Sequence, residues 1–128
     1  MRVYIASSLN NAERVVEIRD ILISRGINIT YDWTSHGYSD HIEELKTIAK
    51  CEYDGVVSAT CVLLVLPARI GSHFEFGVAY AKGIPVVILD ESDDEREVSF
   101  YYLPLIYKYS DAQSAINKVI EVVKHDVV

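Results

Sequence analysis

The run Val62–Leu89, VLLVLPARIGSHFEFGVAYAKGIPVVIL, decides how this chain folds. It opens on a near-continuous apolar segment, as strands covered on both faces do. A glycine-bearing loop follows, then a helical stretch from Ser72 that Gly83 stops. A second apolar strand comes next, with Pro85 at its start, where a missing N–H is tolerated. The helix carries a lone carboxylate, Glu75, in its first turn among Phe74, Phe76, Val78 and Ala79. Ser72-x-x-Glu75 matches a capping box, in which both side chains satisfy free amides of the helix start. Glu75 is therefore a cap or a reagent, and spacing alone leaves both open.

Working outward, the same alternation of strands and helices recurs. Arg2–Ser7 reads as a first, central strand, and Ser8 or Asn10 stands where a helix cap belongs. Val15, Ile18 and Leu22 keep helical spacing until Gly26. Ile27–Trp33 alternates as strand two, and Thr34–Ser39 is a loop around Gly37. Asp40 with Glu43 makes a capping box for a helix with Ile42, Leu45 and Ile48 as its apolar face. Cys51–Ala59 reads as an irregular helical turn with Gly55. Beyond Leu89, Glu91–Glu97 is an acidic surface loop, Leu105–Tyr109 a short strand, and Ser110 with Gln113 a cap. The last helix turns Ala112, Ala115, Ile116, Val119 and Val123 inward. Such βαβ units predict an α/β three-layer sandwich with a mostly parallel sheet.

Half of the 128 residues are apolar, enough for one domain over 1–128 with its own core. A net charge of −7 opposes any broad nucleic-acid surface. The longest apolar run, Cys61–Ala68, is too short to span a membrane, and MRVYIASS lacks the apolar core of a signal peptide. Cys51 and Cys61 have no CxxC spacing and read as free thiols. The expectation is a soluble, cytoplasmic protein. No ligand spacing for a metal and no fingerprint for a cofactor is present. A-S-S-L-N-N replaces a dinucleotide glycine motif after strand one, and no Walker A pattern exists. His73-x-Glu75 lacks the P-C-x-x-C of zinc deaminases.

In parallel sheets ligands sit beyond the carboxyl ends of the strands, where strand order reverses. Three loops are expected to meet there, Ala6–Asn10, Trp33–Asp40 and Pro67–Ser72, bringing Ser7, Ser8, His36, Tyr38, Arg69 and Gly71 together. A carboxylate at a helix N-terminus is held ionised by the local potential. Such an anion suits attack at a sugar carbon through an oxocarbenium-like transition state. Glu52 and Asp54 are candidates for the second acid; each also fits an exposed turn carboxylate.

Four stretches, Y-I-A-S-S from Tyr4, Y-D-W-T from Tyr31, E-Y-D-G-V from Glu52 and G-S-H-F-E-F-G-V-A-Y-A-K-G-I-P-V from Gly71, carry a further signal. Together they resemble the nucleoside 2-deoxyribosyltransferase family, which includes the deoxyribonucleoside 5′-monophosphate N-glycosidases. The resemblance implies a flavodoxin-like or Rossmann-like fold and cleavage of an N-glycosidic bond, with the deoxyribose passed to another base or to water. It implies Glu75 as nucleophile, Tyr4 as its hydrogen-bond partner, and Glu52 at a position where the family usually has aspartate. Arg69 stands where transferases have an aspartate and monophosphate hydrolases a serine, and its planar fork suits a 5′-phosphate beside Ser7 and Ser72. Trp33, His36 and Tyr38 fall where the family contacts the base. The resemblance also implies a homo-oligomer, with hydrolysis better supported than base exchange because K-H-D-V-V lacks the transferases' C-terminal asparagine. The other readings are a nucleotide-binding or sensing module without turnover, and an interaction protein in which Glu75 only caps.

Overall fold

A computed structural model describes residues 1–92 and 97–125 of the chain. In order they form β1 (Arg2–Ala6), α1 (Ala12–Ser24), β2 (Asn28–Ile29), α2 (Ile42–Val57), β3 (Cys61–Val65), α3 (Ile70–Ala81), β4 (Val86–Leu89), β5 (Ile106–Tyr109) and α4 (Ala112–His125). The five strands make one sheet in the order β2-β1-β3-β4-β5, every pairing parallel. This is the flavodoxin-like, doubly wound order. Val3 pairs with Cys61 and Ala6 with Leu64, so β1 and β3 run side by side over most of their length. The winding reverses between these two strands. α1 packs with α4 and α2 with α3, giving a layer on each face of the sheet.

The core follows the apolar runs. All five residues of β3 and all four of β4 are buried. Val15, Ile18 and Leu22 of α1 meet them from one side, with Ala115, Ile116, Val119 and Val123 of α4. Each fully buried Val, Leu or Ile contributes about 1.5–3 kcal/mol over an exposed one.

Several local expectations give way to tertiary contacts. β2 ends at Ile29 because Asp32 turns the chain: its carboxylate accepts from the Thr34 amide (3.0 Å) and the Thr34 hydroxyl, and from Arg19 (2.7 Å). β1 is then left with the Ile5 carbonyl unpaired on that side, and the indole N–H of Trp33 donates to it at 2.6 Å. Neither Ser8 nor Asn10 caps α1; the Ser8 hydroxyl donates to the Pro67 carbonyl instead. The Asp40–Glu43 box does not form. Ser39 does the local bonding, accepting from the His41 amide (3.2 Å) and donating to Glu44. Asp111, rather than Ser110, bonds a free amide of α4, accepting from Ser114 at 2.8 Å.

α2 departs furthest from expectation. It runs unbroken through Gly55 to Val57, and the apolar residues at its start face out, Ile42 being 65 % and Leu45 41 % exposed. Of the acidic loop, Glu91 is not free charge: its carboxylate accepts two bonds from the Arg14 guanidinium, both 2.8 Å. Residues 93–96 of that loop and residues 126–128 of the tail lie outside the described residues. Among the described residues no helix is long and apolar enough to cross a membrane.

Candidate active site

The loops after β1, β2 and β3 meet at the carboxyl edge of the sheet, at the reversal between β1 and β3. They enclose a cleft with two lobes that share Ser7, Leu9, Tyr38, Glu52 and Glu75. One lobe, about 290 Å³, is walled by Trp33, His36, Tyr38, Leu45 and Ile48. The other, about 450 Å³, is walled by Ser8, Asn10, Arg69, Gly71 and Ser72. Of the site residues expected from the sequence, all but Asp54 border this cleft. Asp54 points outward and pairs with Lys50 at 3.0 Å, whereas Glu52 lines both lobes.

Glu75 sits where the lobes join, 6 % exposed. α3 starts at Ile70, with Arg69 as its cap position, so Glu75 lies in the second turn rather than the first. The capping box expected at Ser72–Glu75 is thus absent. Glu75 instead accepts a hydrogen bond from the Tyr4 hydroxyl, whose side chain is fully buried on β1. The macrodipole acts within the first turn of a helix, so this position gains little from it. The carboxyl is accordingly not held ionised in the free protein. Burial raises it to about 8, the Tyr4 bond works against that, and the charge of Glu52 adds to the rise. Tyr4 is driven far above the ordinary phenol range, by burial first and then by Glu75. Tyr4 is therefore a fixed donor and not a base.

The two lobes differ in chemistry. In the smaller lobe the Trp33 ring is anchored by its bond to Ile5, while Tyr38 is 83 % exposed at the rim. His36 Nδ1 lies 3.2 Å from the Gly37 carbonyl. A carbonyl only accepts, so Nδ1 carries a proton, and in the neutral ring Nε2 then presents a lone pair. That Nε2 is the one buried side-chain polar atom without a partner among the described residues. In the larger lobe the amides of Ile70, Gly71 and Ser72 begin α3 without intrahelical acceptors, as every helix start does. Arg69 is exposed beside them, and a helix start with a guanidinium suits an anion. Ser7 and Ser8 have spent their hydroxyl protons on the Val65 carbonyl (2.7 Å) and the Pro67 carbonyl (3.3 Å). They tie the β1 loop to the β3 loop.

Sequence reasoning missed Gly55, Leu45 and Ile48 as parts of this region. Among the described residues no group of three or more His, Cys, Asp or Glu side chains is placed to hold a metal ion. Glu75, Glu52 and Tyr4 form a dry carboxylate with a fixed donor and a second, wetter acid. That set can stabilise positive charge at carbon, form an ester with it, and move one proton.

The fold is similar to that of solved structures with low sequence identity. A 2-deoxyribosyltransferase from the psychrotolerant bacterium Bacillus psychrosaccharolyticus superposes with a TM-score of 0.74 at 14 % identity, over 91 % of each chain. A CMP N-glycosidase from Clostridium botulinum gives 0.68 at 16 % identity, over 94 % of this chain and 99 % of that one. A conserved protein from Enterococcus faecalis V583 gives 0.57 at 21 % identity, over 98 % of both. No protein-family model matches the sequence, and no curated protein matches it. At these identities the likeness establishes a common fold.

Proposed function

We propose that this protein cleaves the N-glycosidic bond of a (deoxy)nucleoside or nucleoside 5′-monophosphate, with Glu75 as nucleophile. The observation that carries the reading is the buried Glu75 carboxyl, held by Tyr4 and faced by Glu52 where the lobes join. The fold shared with a 2-deoxyribosyltransferase and a CMP N-glycosidase supports the same chemistry. The base occupies the lobe of Trp33, His36 and Tyr38, and its N–H groups supply the donor that His36 Nε2 lacks. A 5′-phosphate occupies the other lobe, held by Arg69, Ser72 and the first amides of α3 beside Gly71, with Ser7 and Ser8 shaping its wall.

As the bond from C1′ to the base nitrogen breaks, the electron pair leaves with the base and Glu52 protonates it. A Glu75 oxygen bonds C1′ from the opposite face, giving a glycosyl ester. As positive charge grows at the sugar, the Glu75 proton passes to Glu52, which is the proton Glu52 delivers to the base, and the Tyr4 hydroxyl holds the Glu75 anion in line. Glu52, now a base, takes a proton from water, and the hydroxide displaces Glu75 from C1′ with retention. A second base in place of water makes the reaction an exchange. No cofactor takes part.

Ile42, Leu45, Tyr53, Ile70 and Phe74 are between 41 % and 90 % exposed beside the cleft, an apolar face that suits a homo-oligomer. Cys51 is a free thiol, as fits the cytoplasm.

The test is incubation with deoxynucleosides and their monophosphates, with free base measured by chromatography. Base release that Glu75→Ala abolishes is expected; full activity in that variant overturns the nucleophile, and no release from any substrate overturns the enzyme. A second reading, nucleotide binding without turnover, draws on the raised Glu75 carboxyl, which is mostly protonated at neutral pH and so a weak nucleophile. Saturable binding with no product, undiminished in Glu75→Gln, supports it.

A further inference from the structure

We propose that Gly55 is the positioning residue that sets how closely Glu52 approaches the Glu75–Tyr4 pair. Glycine weakens a helix interior more than any residue except proline. Yet Gly55 lies inside the 16-residue helix α2, with no turn or break at that point. Its backbone needs no left-handed conformation; the positive-φ glycines are Gly26 and Gly83. What it supplies is space. A Cβ at Gly55 would stand 2.9 Å from Tyr31 Cβ, and 3.0 and 3.2 Å from two ring carbons of Tyr4.

Neither neighbour yields easily. Tyr31 Cβ is fixed by its own backbone, and the Tyr4 ring is fully buried with its hydroxyl bound to Glu75. The contact is also pinned from outside, because the Gly55 carbonyl accepts from Thr30 Oγ1 at 2.7 Å and from Ser58 Oγ at 3.3 Å. A methyl group here is accommodated by moving α2 away from β1. Glu52 stands three residues earlier, a spacing that puts both residues on one face of the helix. The retreat of α2 therefore carries Glu52 away from Glu75. The titratable groups that act on Glu75 are Tyr4 from β1 and Glu52 from α2, with His36 and Arg69 on the outer lobe walls.

The catalytic consequence rests on the glycosidase reading, whereas the geometric one does not, and two measurements separate them. The first is the titration midpoint of the Glu75 carboxyl, followed by carbon NMR in wild type, Gly55→Ala, Glu52→Gln and the double variant. Gly55→Ala and Glu52→Gln each lower the midpoint, and Gly55→Ala adds a smaller shift once Glu52 is gone. The second is the rate of base release, where Gly55→Ala lowers kcat about tenfold with KM within about twofold, and again has a smaller effect with Glu52→Gln. Should Gly55→Ala not fold, Glu52→Asp withdraws the same carboxylate by one methylene and is expected to lower the Glu75 midpoint likewise. An unchanged midpoint in a folded Gly55→Ala protein, or in Glu52→Asp, overturns the inference, as does full additivity in the cycle. Absence of base release in wild type with the midpoints moving as described overturns the glycosidase reading and leaves the positioning role standing.

Discussion

Replacing Glu75 by glutamine isolates what it costs to keep an ionisable group in the cleft. Burial and Glu52 raise this carboxyl from 4.5 to about 8. Between those values the folded protein holds a proton that the unfolded chain has released. The stability associated with the neutral acid is therefore complete below pH 4.5 and is lost as pH rises through about 8. At roughly 1.4 kcal/mol for each tenfold change in proton affinity, the ceiling is on the order of 5 kcal/mol. Water in the open cleft screens the anion, so roughly 2–3 kcal/mol is the expected size. The amide in Glu75→Gln still accepts from Tyr4 and never ionises. Thermal unfolding of both proteins, followed by circular dichroism from pH 5 to 9, reads the difference. For a domain of this length 1 kcal/mol moves Tm by roughly 3–5 °C, so the gap should widen by about 10 °C in the variant's favour across that range. Histidines and surface carboxylates titrate in both proteins and cancel. Parallel curves would mean that Glu75 ionises as freely in the fold as in the unfolded chain, and the reasoning from burial would fail.

Arg69→Ala should raise KM for a nucleoside 5′-monophosphate about 10- to 100-fold, the size of a charged hydrogen bond, while leaving the unphosphorylated nucleoside within about twofold. Equal losses on both substrates would remove Arg69 from the phosphate. Phe74→Glu places a charge in the exposed apolar face and should lower the mass measured by sedimentation to that of one chain. An unchanged assembly after that substitution would move the interface elsewhere.

The sheet was legible because its signal is cumulative. β3 and β4 are buried on both faces, and only unbroken apolar runs satisfy that environment. The inward faces of α1 and α4 repeat at helical spacing for the same reason. Short motifs misled where a tertiary partner outbid a local one. Ser72 and Glu75 match a capping box, but Tyr4 sits 71 residues away in sequence and takes the carboxylate. Gly55 suggests an irregular turn when only its neighbours are read; its reason is two tyrosines from other elements. The alternation through Ile29 and Tyr31 promised a longer β2, which the Asp32 turn cuts short. That the loops after β1, β2 and β3 meet at one edge of the sheet was legible from topology alone. The direction of the Glu75 shift was not, because it depends on how deep the carboxyl lies and on Glu52 beside it.

The Trp33 indole is bound to the Ile5 carbonyl at 2.6 Å and buried on the wall of the smaller lobe. It is the only tryptophan in the chain. The protein's indole fluorescence therefore comes from a single ring, fixed by that bond and bordering the space we propose for the base. Unfolding exposes the ring and shifts its emission to the red, whereas a base stacked in the lobe quenches it without that shift. The fold thus carries its own optical reporter of occupancy, able to follow binding in Glu75 variants that turn nothing over.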